Sequence, residues 1–274
     1  MRRESHMTVM ERQIKTVWIT GASSGIGEAC SYEFAKKGYR LVLTARSADR
    51  LLEVAEKCRH SGAGSVSVLP YDFSEPDGIA GLCHSAMEIY GRIDVLFLNA
   101  GISQRSTVED TSMEMVRKIM EIDYFAPVAV AQAVLPEMAA AGGGKIAVTS
   151  SVAGLFGFPL RCAYSSAKHA LYGFFETLQA EYHDSGIRVT MVCPGRVRTN
   201  ISLNALVKGG ERHGVMDPGQ ANGIPAGKAA RKIVRAVEKG RREVFVGGKE
   251  LLMVPIKRFF PGFCAFIGRK TRAM

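Results

Sequence analysis

The chain has no C-x-x-C pair: its six cysteines, Cys30, Cys58, Cys83, Cys162, Cys193 and Cys264, are scattered. That argues against a disulfide frame or thiolate metal site, and for small buried hydrophobes in a reducing compartment. The six histidines show no ligand spacing, so no metal is expected. Met1–Met10 lacks an apolar h-region and a small-residue cleavage site, and no secretory signal is expected. No long apolar run survives either. Ile122–Ala140 is interrupted by Asp123, Gln132, Pro136 and Glu137, which speaks against a membrane span. Acidic residues are scarce at one end: residues 226–274 hold 3 Asp/Glu against 13 Lys/Arg, which accounts for the whole net charge of +10. No repeat, low-complexity tract or linker divides the chain.

What is present is enough apolar sequence, 47% of 274 residues, for one large core. The chain is organised around Thr20-Gly21-Ala22-Ser23-Ser24-Gly25-Ile26-Gly27. An apolar run, Thr16–Ile19, precedes it as a buried strand, and a helical pattern with Ile26, Ala29, Phe34 and Ala35 follows. A strand, a glycine-rich turn and a helix in that order can hold a dinucleotide pyrophosphate. Glycines let the backbone turn tightly and approach the ligand, and the helix N-terminus offers free N–H groups and its positive dipole end.

Further strands are expected at 39–46, 65–69, 93–98, 145–149, 187–192 and 243–246, with helices at about 75–90, 112–140, 162–184 and 229–239. A helix opening at Ser47 or Asp49 is also expected, and Pro127 and Pro136 are expected to bend the 112–140 run. Short buried strands alternating with helices indicate an α/β fold, a single doubly wound Rossmann domain with a seven-stranded parallel sheet and helices on both faces. It spans 14–250 and includes an irregular lid over 196–227. Residues 1–13 form an N-terminal extension, with Ser5-His6-Met7 read as an expression scar, and 251–274 form a basic, apolar tail.

In such a sheet the ligand lies beyond the carboxyl ends of the strands. Those ends here carry Gly21–Gly27, Ala45-Arg46, Asp72-Phe73, Asn99-Ala100-Gly101, Ser150-Ser151 and Pro194-Gly195. With these motifs the sequence resembles the short-chain dehydrogenase/reductase family in its roughly 250-residue branch. The shared elements are TGASSGIG (20–27), Asp72-Phe73, the NAG of 99–101, Ser151 with Tyr164-x-x-x-Lys168, and the PGRVRT of 194–199. YSSAKHALYGFF (164–175) and LLMVPIKRFFP (251–261) look most like the hydroxysteroid and retinoid oxidoreductases of that family.

The resemblance implies cofactor binding by Gly21, Ser23, Ser24, Gly25, Ile26, Gly27, Arg46, Asp72, Phe73, Asn99, Ala100, Gly101, Tyr164, Lys168, Pro194, Gly195, Val197 and Thr199. It also implies that Tyr164 exchanges the proton with substrate, Lys168 holds the nicotinamide ribose and Ser151 orients the substrate oxygen. The chemistry is sound: a free tyrosine, with pKa about 10, is a poor acid or base near neutrality, and a nearby ammonium stabilises its phenolate. Tyr164 and Lys168 are spaced to share one helix face. One position departs from the family. Where an asparagine supporting a helix kink and a proton path is usual, this chain has Asp123, which accepts but cannot donate when ionised.

At the end of the second strand an acid would favour NAD, whereas Arg46 suits the 2′-phosphate of NADP. Ser24 stands where some NADP-binding relatives carry a base, so the preference rests on Arg46. The expected function is an NADP(H)-dependent interconversion of alcohol and carbonyl. Phe156, Phe158, Leu160, Leu203, Leu206, Val207 and Met216 are expected to wall the pocket for a lipophilic small molecule, or else to serve as ordinary loop packing. The alternative is a non-enzymatic NADP-binding redox sensor acting through lid and tail. Nucleic acid is not expected as a partner, because the tail mixes its cations with large apolar residues and shows no recognised module. A homodimer or homotetramer in the cytoplasm is expected. Clustered cations and phenylalanines in 251–274 suit peripheral contact with an anionic membrane surface, or else packing over the pocket or a neighbouring subunit, with Pro255 and Pro261 breaking any helix.

Overall fold

The computed structural model describes residues 14–270, so the expectations for the extension 1–13 and for Arg272 lie outside the described residues. In chain order the elements begin with β1 (Thr16–Thr20), α1 (Gly25–Ala35), β2 (Arg40–Thr44), α2 (Ala48–His60), β3 (Ser65–Val68), α3 (Ile79–Tyr90) and β4 (Val95–Leu98). They continue with α4 (Met113–Met120), α5 (Ala126–Ala140), β5 (Gly144–Thr149), α6 (Cys162–Glu181) and β6 (Ile187–Pro194). The last are β7 (Val197–Arg198), α7 (Pro218–Ala221), β8 (Ile224–Pro225), α8 (Ala226–Glu238), β9 (Glu243–Val246), α9 (Met253–Phe259) and α10 (Pro261–Lys270).

Seven strands form a parallel sheet in the order β3-β2-β1-β4-β5-β6-β9, while β7 and β8 pair separately in the lid. Strand residues alternate between two cores, as a period of two requires. Val17, Ile19, Leu41, Leu43, Val95 and Phe97 pack with Phe34, Leu51, Val54 and Ile233 of α1, α2 and α8. Trp18, Val42, Leu96, Leu98, Ile146 and Val148 pack with Leu82, Val130, Val134, Leu171 and Phe175 of α3, α5 and α6. Both faces are therefore covered, which is why the strands read as continuous apolar runs. The order of winding reverses between β1 and β4, where a crevice opens beyond the strand ends.

The cysteines are free thiols, all buried except the half-buried Cys162. Burial pushes the Cys58 and Cys83 thiols up to about 12. Among the described residues no group of three or more His, Cys, Asp or Glu is placed to hold a metal ion.

Pro127 falls in the first turn of α5, and α5 runs on through Pro136, so neither proline ends the helical run 113–140. One π-helical turn, Glu121–Phe125, joins α4 to α5 just ahead of Pro127. The run 113–140 is long and apolar enough by length and composition to cross a membrane, with mean hydropathy 1.2. Its apolar residues Ile122, Ala126, Val130, Val134 and Met138 nevertheless lie in the core against the sheet. The prolines of the tail do not prevent helix either. Pro255 lies in the first turn of α9 and Pro261 opens α10. Only Phe260 between them leaves the helical region, as the residue before a proline tends to.

Candidate active site

The glycine loop is shaped by the absence of side chains. Gly21 and Gly25 have φ of +66° and +61°, in the left-handed region that favours glycine. A Cβ at Gly27 would collide with the Gly21 carbonyl oxygen and lie 2.6 Å from Asn99 Nδ2. Asn99 latches this loop to the sheet: Nδ2 donates to the Thr20 and Gly21 carbonyls, both at 3.3 Å, and Oδ1 accepts from Thr149 Oγ1 at 3.1 Å. Its side chain is thus occupied by the scaffold. Ser24 is the extended residue before α1 and makes no side-chain cap, leaving the first N–H groups of that helix facing the crevice.

The residues expected to hold the cofactor, from Gly21 to Thr199, line one cavity of about 530 Å³, except Gly27, which lies behind the loop. Ser151, Tyr164, Lys168 and Asp123 line the same cavity. Arg46 borders it with Nη1 3.9 Å from Asp72 Oδ2, and Asp72 Oδ1 accepts from the N–H and hydroxyl of Ser74.

At the other end, α6 presents Tyr164 and Lys168, both buried. Lys168 Nζ lies 5.8 Å from the Tyr164 ring centre, donates to the Thr149 carbonyl at 3.0 Å and sits 3.1 Å from Asp123 Oδ2. That last contact is an ion pair without a well-aligned hydrogen bond. The π-helical turn aims Asp123 inward, fully buried, where Oδ1 accepts from the Ile102 N–H at 2.8 Å. Burial raises the Asp123 pKa above the usual carboxylate range, against the opposing pull of Lys168. The Ser151 hydroxyl donates to the Pro194 carbonyl at 3.3 Å.

Asp123→Asn should keep turnover at or above the unsubstituted level. An amide oxygen still accepts from the Ile102 N–H, the amide nitrogen adds a donor, and Lys168 retains the Thr149 carbonyl. Steady-state rates with a parallel cofactor titration check this. A fall in kcat beyond about tenfold, 1.4 kcal/mol of barrier, with cofactor binding intact would give the carboxylate its own role.

The expected substrate wall is corrected. Of Phe156, Phe158, Leu160, Leu203, Leu206, Val207 and Met216, only Leu206 lines the cavity. Phe156 and Phe158 pack beneath the tail with Val152, Val254 and Cys264, and the Met216 sulfur accepts from the Ser202 hydroxyl. The apolar lining there is Ile102, Ile201 and Leu206.

Several residues at the site escaped sequence reasoning. Gln104 is fully buried, and its Oε1 accepts the Tyr164 N–H at 3.1 Å, anchoring the start of α6. Arg105 and Arg161 line the cavity, and both contact the buried Asp217. Glu250 accepts from the N–H groups of Arg196 and Gly248, tying the tail to the loop after β6, and a Cβ at Gly195 would collide with it. A single charge, Arg161 itself, inside the otherwise uncharged segment Phe158–Tyr164 was the available signal.

A doubly wound sheet with a glycine cradle and a Ser–Tyr–Lys set in one crevice defines an oxidoreductase that binds a nicotinamide dinucleotide. The short chain dehydrogenase family profile matches residues 15–206, and the chain belongs to that family. It is 39% identical over 233 residues to dehydrogenase/reductase SDR family member 7B of Mus musculus, covering 84% of this chain and 72% of that protein. It is 37% identical over 235 residues to dehydrogenase/reductase SDR family protein 7-like of Drosophila melanogaster, covering 85% and 72%. Among solved structures it is similar to an alcohol dehydrogenase of Thermococcus sibiricus complexed with 5-hydroxy-NADP. The TM-score is 0.74 and the identity 28%, over 86% of this chain and 97% of the other. A short-chain dehydrogenase of Sphingobium yanoikuyae in complex with NADPH matches with TM-score 0.76 and 26% identity, over 94% and 97%.

Proposed function

We propose that the protein is an NADP(H)-dependent oxidoreductase that interconverts a secondary alcohol and a ketone, or a primary alcohol and an aldehyde, on a small molecule. The observation that carries this reading is one cavity bordered by the glycine loop, Arg46, Tyr164 and Lys168. The cradle fits a dinucleotide, since the room left at Gly21, Gly25 and Gly27 is what close approach of a pyrophosphate needs. The cofactor supplies or accepts the hydride.

This chain's residues do the rest. Tyr164 gives its hydroxyl proton to the carbonyl oxygen in reduction and takes it back in oxidation. Lys168, held by Asp123 and the Thr149 carbonyl, fixes a positive charge beside that ring. Ser151 gives the substrate oxygen a hydroxyl that otherwise donates to Pro194. Arg46 would hold the 2′-phosphate of the cofactor. A non-enzymatic sensor would have no use for this intact set. Oxidation of NADPH with a panel of ketones and aldehydes tests the reading, and no turnover with any of them would remove it.

As part of the same proposal, the protein is a cytoplasmic homo-oligomer in peripheral contact with a membrane. The inner face of the tail, Met253, Val254, Ile256 and Cys264, packs with Val152 and Phe156. Its outer face leaves Phe259, Phe260 and Phe263 at 70%, 65% and 55% exposure, with Lys257, Arg258, Arg269 and Lys270 among them. Each such cation is worth about 1 kcal/mol near an anionic surface. The full-length protein should co-sediment with phosphatidylserine-containing vesicles at low salt and less at high salt. Phe259→Ser, Phe260→Ser and Phe263→Ser together should release it. Protein that stays in the supernatant at low salt would assign this face to a second subunit or to solvent.

A further inference from the structure

Two guanidiniums face one carboxylate on the cavity wall. Arg105 uses four of its five N–H groups: Nε and Nη2 donate to Asp217 Oδ2, and Nη1 donates to Ser103 Oγ and the Gln104 carbonyl oxygen. Arg161 makes a second claim on that same oxygen, from Nη2 at 3.4 Å, and its Nε is a buried donor with no acceptor. The other oxygen of Asp217 lies 3.6 Å from His213 Nε2, and the hydrogen bond from Arg161 goes to Oδ2, which Arg105 already holds. The acids that line the cavity are engaged elsewhere, Asp72 with Ser74 and Arg46 and Asp123 with Ile102 and Lys168. One positive charge on this wall is therefore uncompensated. Burial and the neighbouring Arg105 push the Arg161 pKa down to about 10, which leaves it charged at neutral pH.

The backbone gives a second, independent sign. Leu160 has φ of +63°, the positive value among the described non-glycine residues, and it immediately precedes Arg161. Such strain persists where surrounding structure enforces it, and it gathers at functional sites. Here it sets the direction in which Arg161 enters α6, one turn ahead of Tyr164.

We propose that Arg161 receives an anionic group, a carboxylate or a phosphate ester, carried by the substrate whose reacting oxygen meets Tyr164. This rests on the oxidoreductase reading above and narrows it to oxo or hydroxy compounds with a negative charge near the reacting carbon. A neutral substrate leaves a buried charged donor unpaired, whereas the planar fork of an arginine matches both anions. The groups suited to the cofactor phosphates, the glycine loop and Arg46, follow β1 and β2, whereas Arg161 immediately precedes α6.

The test compares matched pairs on the NADPH-saturated protein: 4-phenyl-2-oxobutyrate with its methyl ester, and phenacyl phosphate with 2-hydroxyacetophenone. The anionic member of at least one pair should have a kcat/KM higher by about tenfold or more, the worth of one charge-assisted hydrogen bond. The pair that shows it identifies carboxylate or phosphate. Arg161→Met should bring the ratio to about one, and Arg161→Lys, which keeps the charge without the fork, should retain part of it. Neutral members used as well as anionic ones in both pairs, or a preference that survives in Arg161→Met, overturns the proposal. Binding of 4-phenylbutyrate and 4-phenylbutyramide to the NADP-loaded protein is titrated in parallel. If no pair is turned over, the titration decides alone, and the oxidoreductase reading stays with the ketone and aldehyde panel: acid bound more tightly than amide, with the difference lost in Arg161→Met, upholds the anion site, and equal binding removes it.

Discussion

Tyr164→Phe should lose turnover by about 10³-fold, roughly 4 kcal/mol of barrier, while the dissociation constant for the cofactor changes little. The substitution removes one oxygen from a buried ring and leaves the packing of α6 in place. The Tyr164 backbone N–H still reaches Gln104, and Lys168 keeps its contacts with Asp123 and the Thr149 carbonyl. What disappears is the only group that the proposed reaction uses to carry the substrate proton. Single-turnover and steady-state rates with any accepted ketone, beside a fluorescence titration of the cofactor, separate these effects. A variant within about threefold of the unsubstituted protein, less than 1 kcal/mol, would reassign the proton to another group. Loss of cofactor binding together with turnover would instead make the hydroxyl a binding contact.

The sheet was legible because its central strands are short apolar runs closed by turn residues, and both faces of the sheet are buried. Thr16–Thr20 and Glu243–Val246 fall almost where the pattern places them. The cradle and the Tyr164–Lys168 pair were legible because they are local motifs at strand ends and on one helix face. What was missed depends on contacts between distant segments. Arg105 and Asp217 are 112 residues apart, and neither position carries a periodic signal that points to the other. The π-helical turn at Glu121–Phe125 has no breaker in its sequence; it is marked by Asp123 turning inward to Ile102 and Lys168. The pocket wall defeated pattern reading for a related reason. Phe156 and Phe158 are large and apolar as a pocket wall would be, but α9 and α10 cover them, and apolar character alone does not say which surface a side chain meets.

Arg46→Asp should reverse the choice of cofactor. The unsubstituted protein is expected to bind NADPH more tightly than NADH by about 2 kcal/mol, near thirtyfold, the scale of a charge-assisted hydrogen bond to phosphate. The structure leaves Arg46 able to make that bond. Its side chain is 60% exposed, and its contact with Asp72 is 3.9 Å, too long for a hydrogen bond and readily given up. An aspartate at 46 removes the donor, repels the 2′-phosphate beside Asp72, and supplies the acceptor that ribose hydroxyls require in an NAD site. The gain for NADH and the loss for NADPH both move the ratio in one direction, so the swing should exceed the original preference. Arg46 lies at the end of β2, at the far side of the crevice from Tyr164, so the maximal rate with the better cofactor should fall far less than the ratio changes. Dissociation constants for both cofactors, measured on both proteins, decide the matter. Equal constants in the unsubstituted protein would remove the assignment of Arg46. A preference for NADPH that persists in Arg46→Asp would move the phosphate contact to another residue of the loop 21–27 or to Ser47.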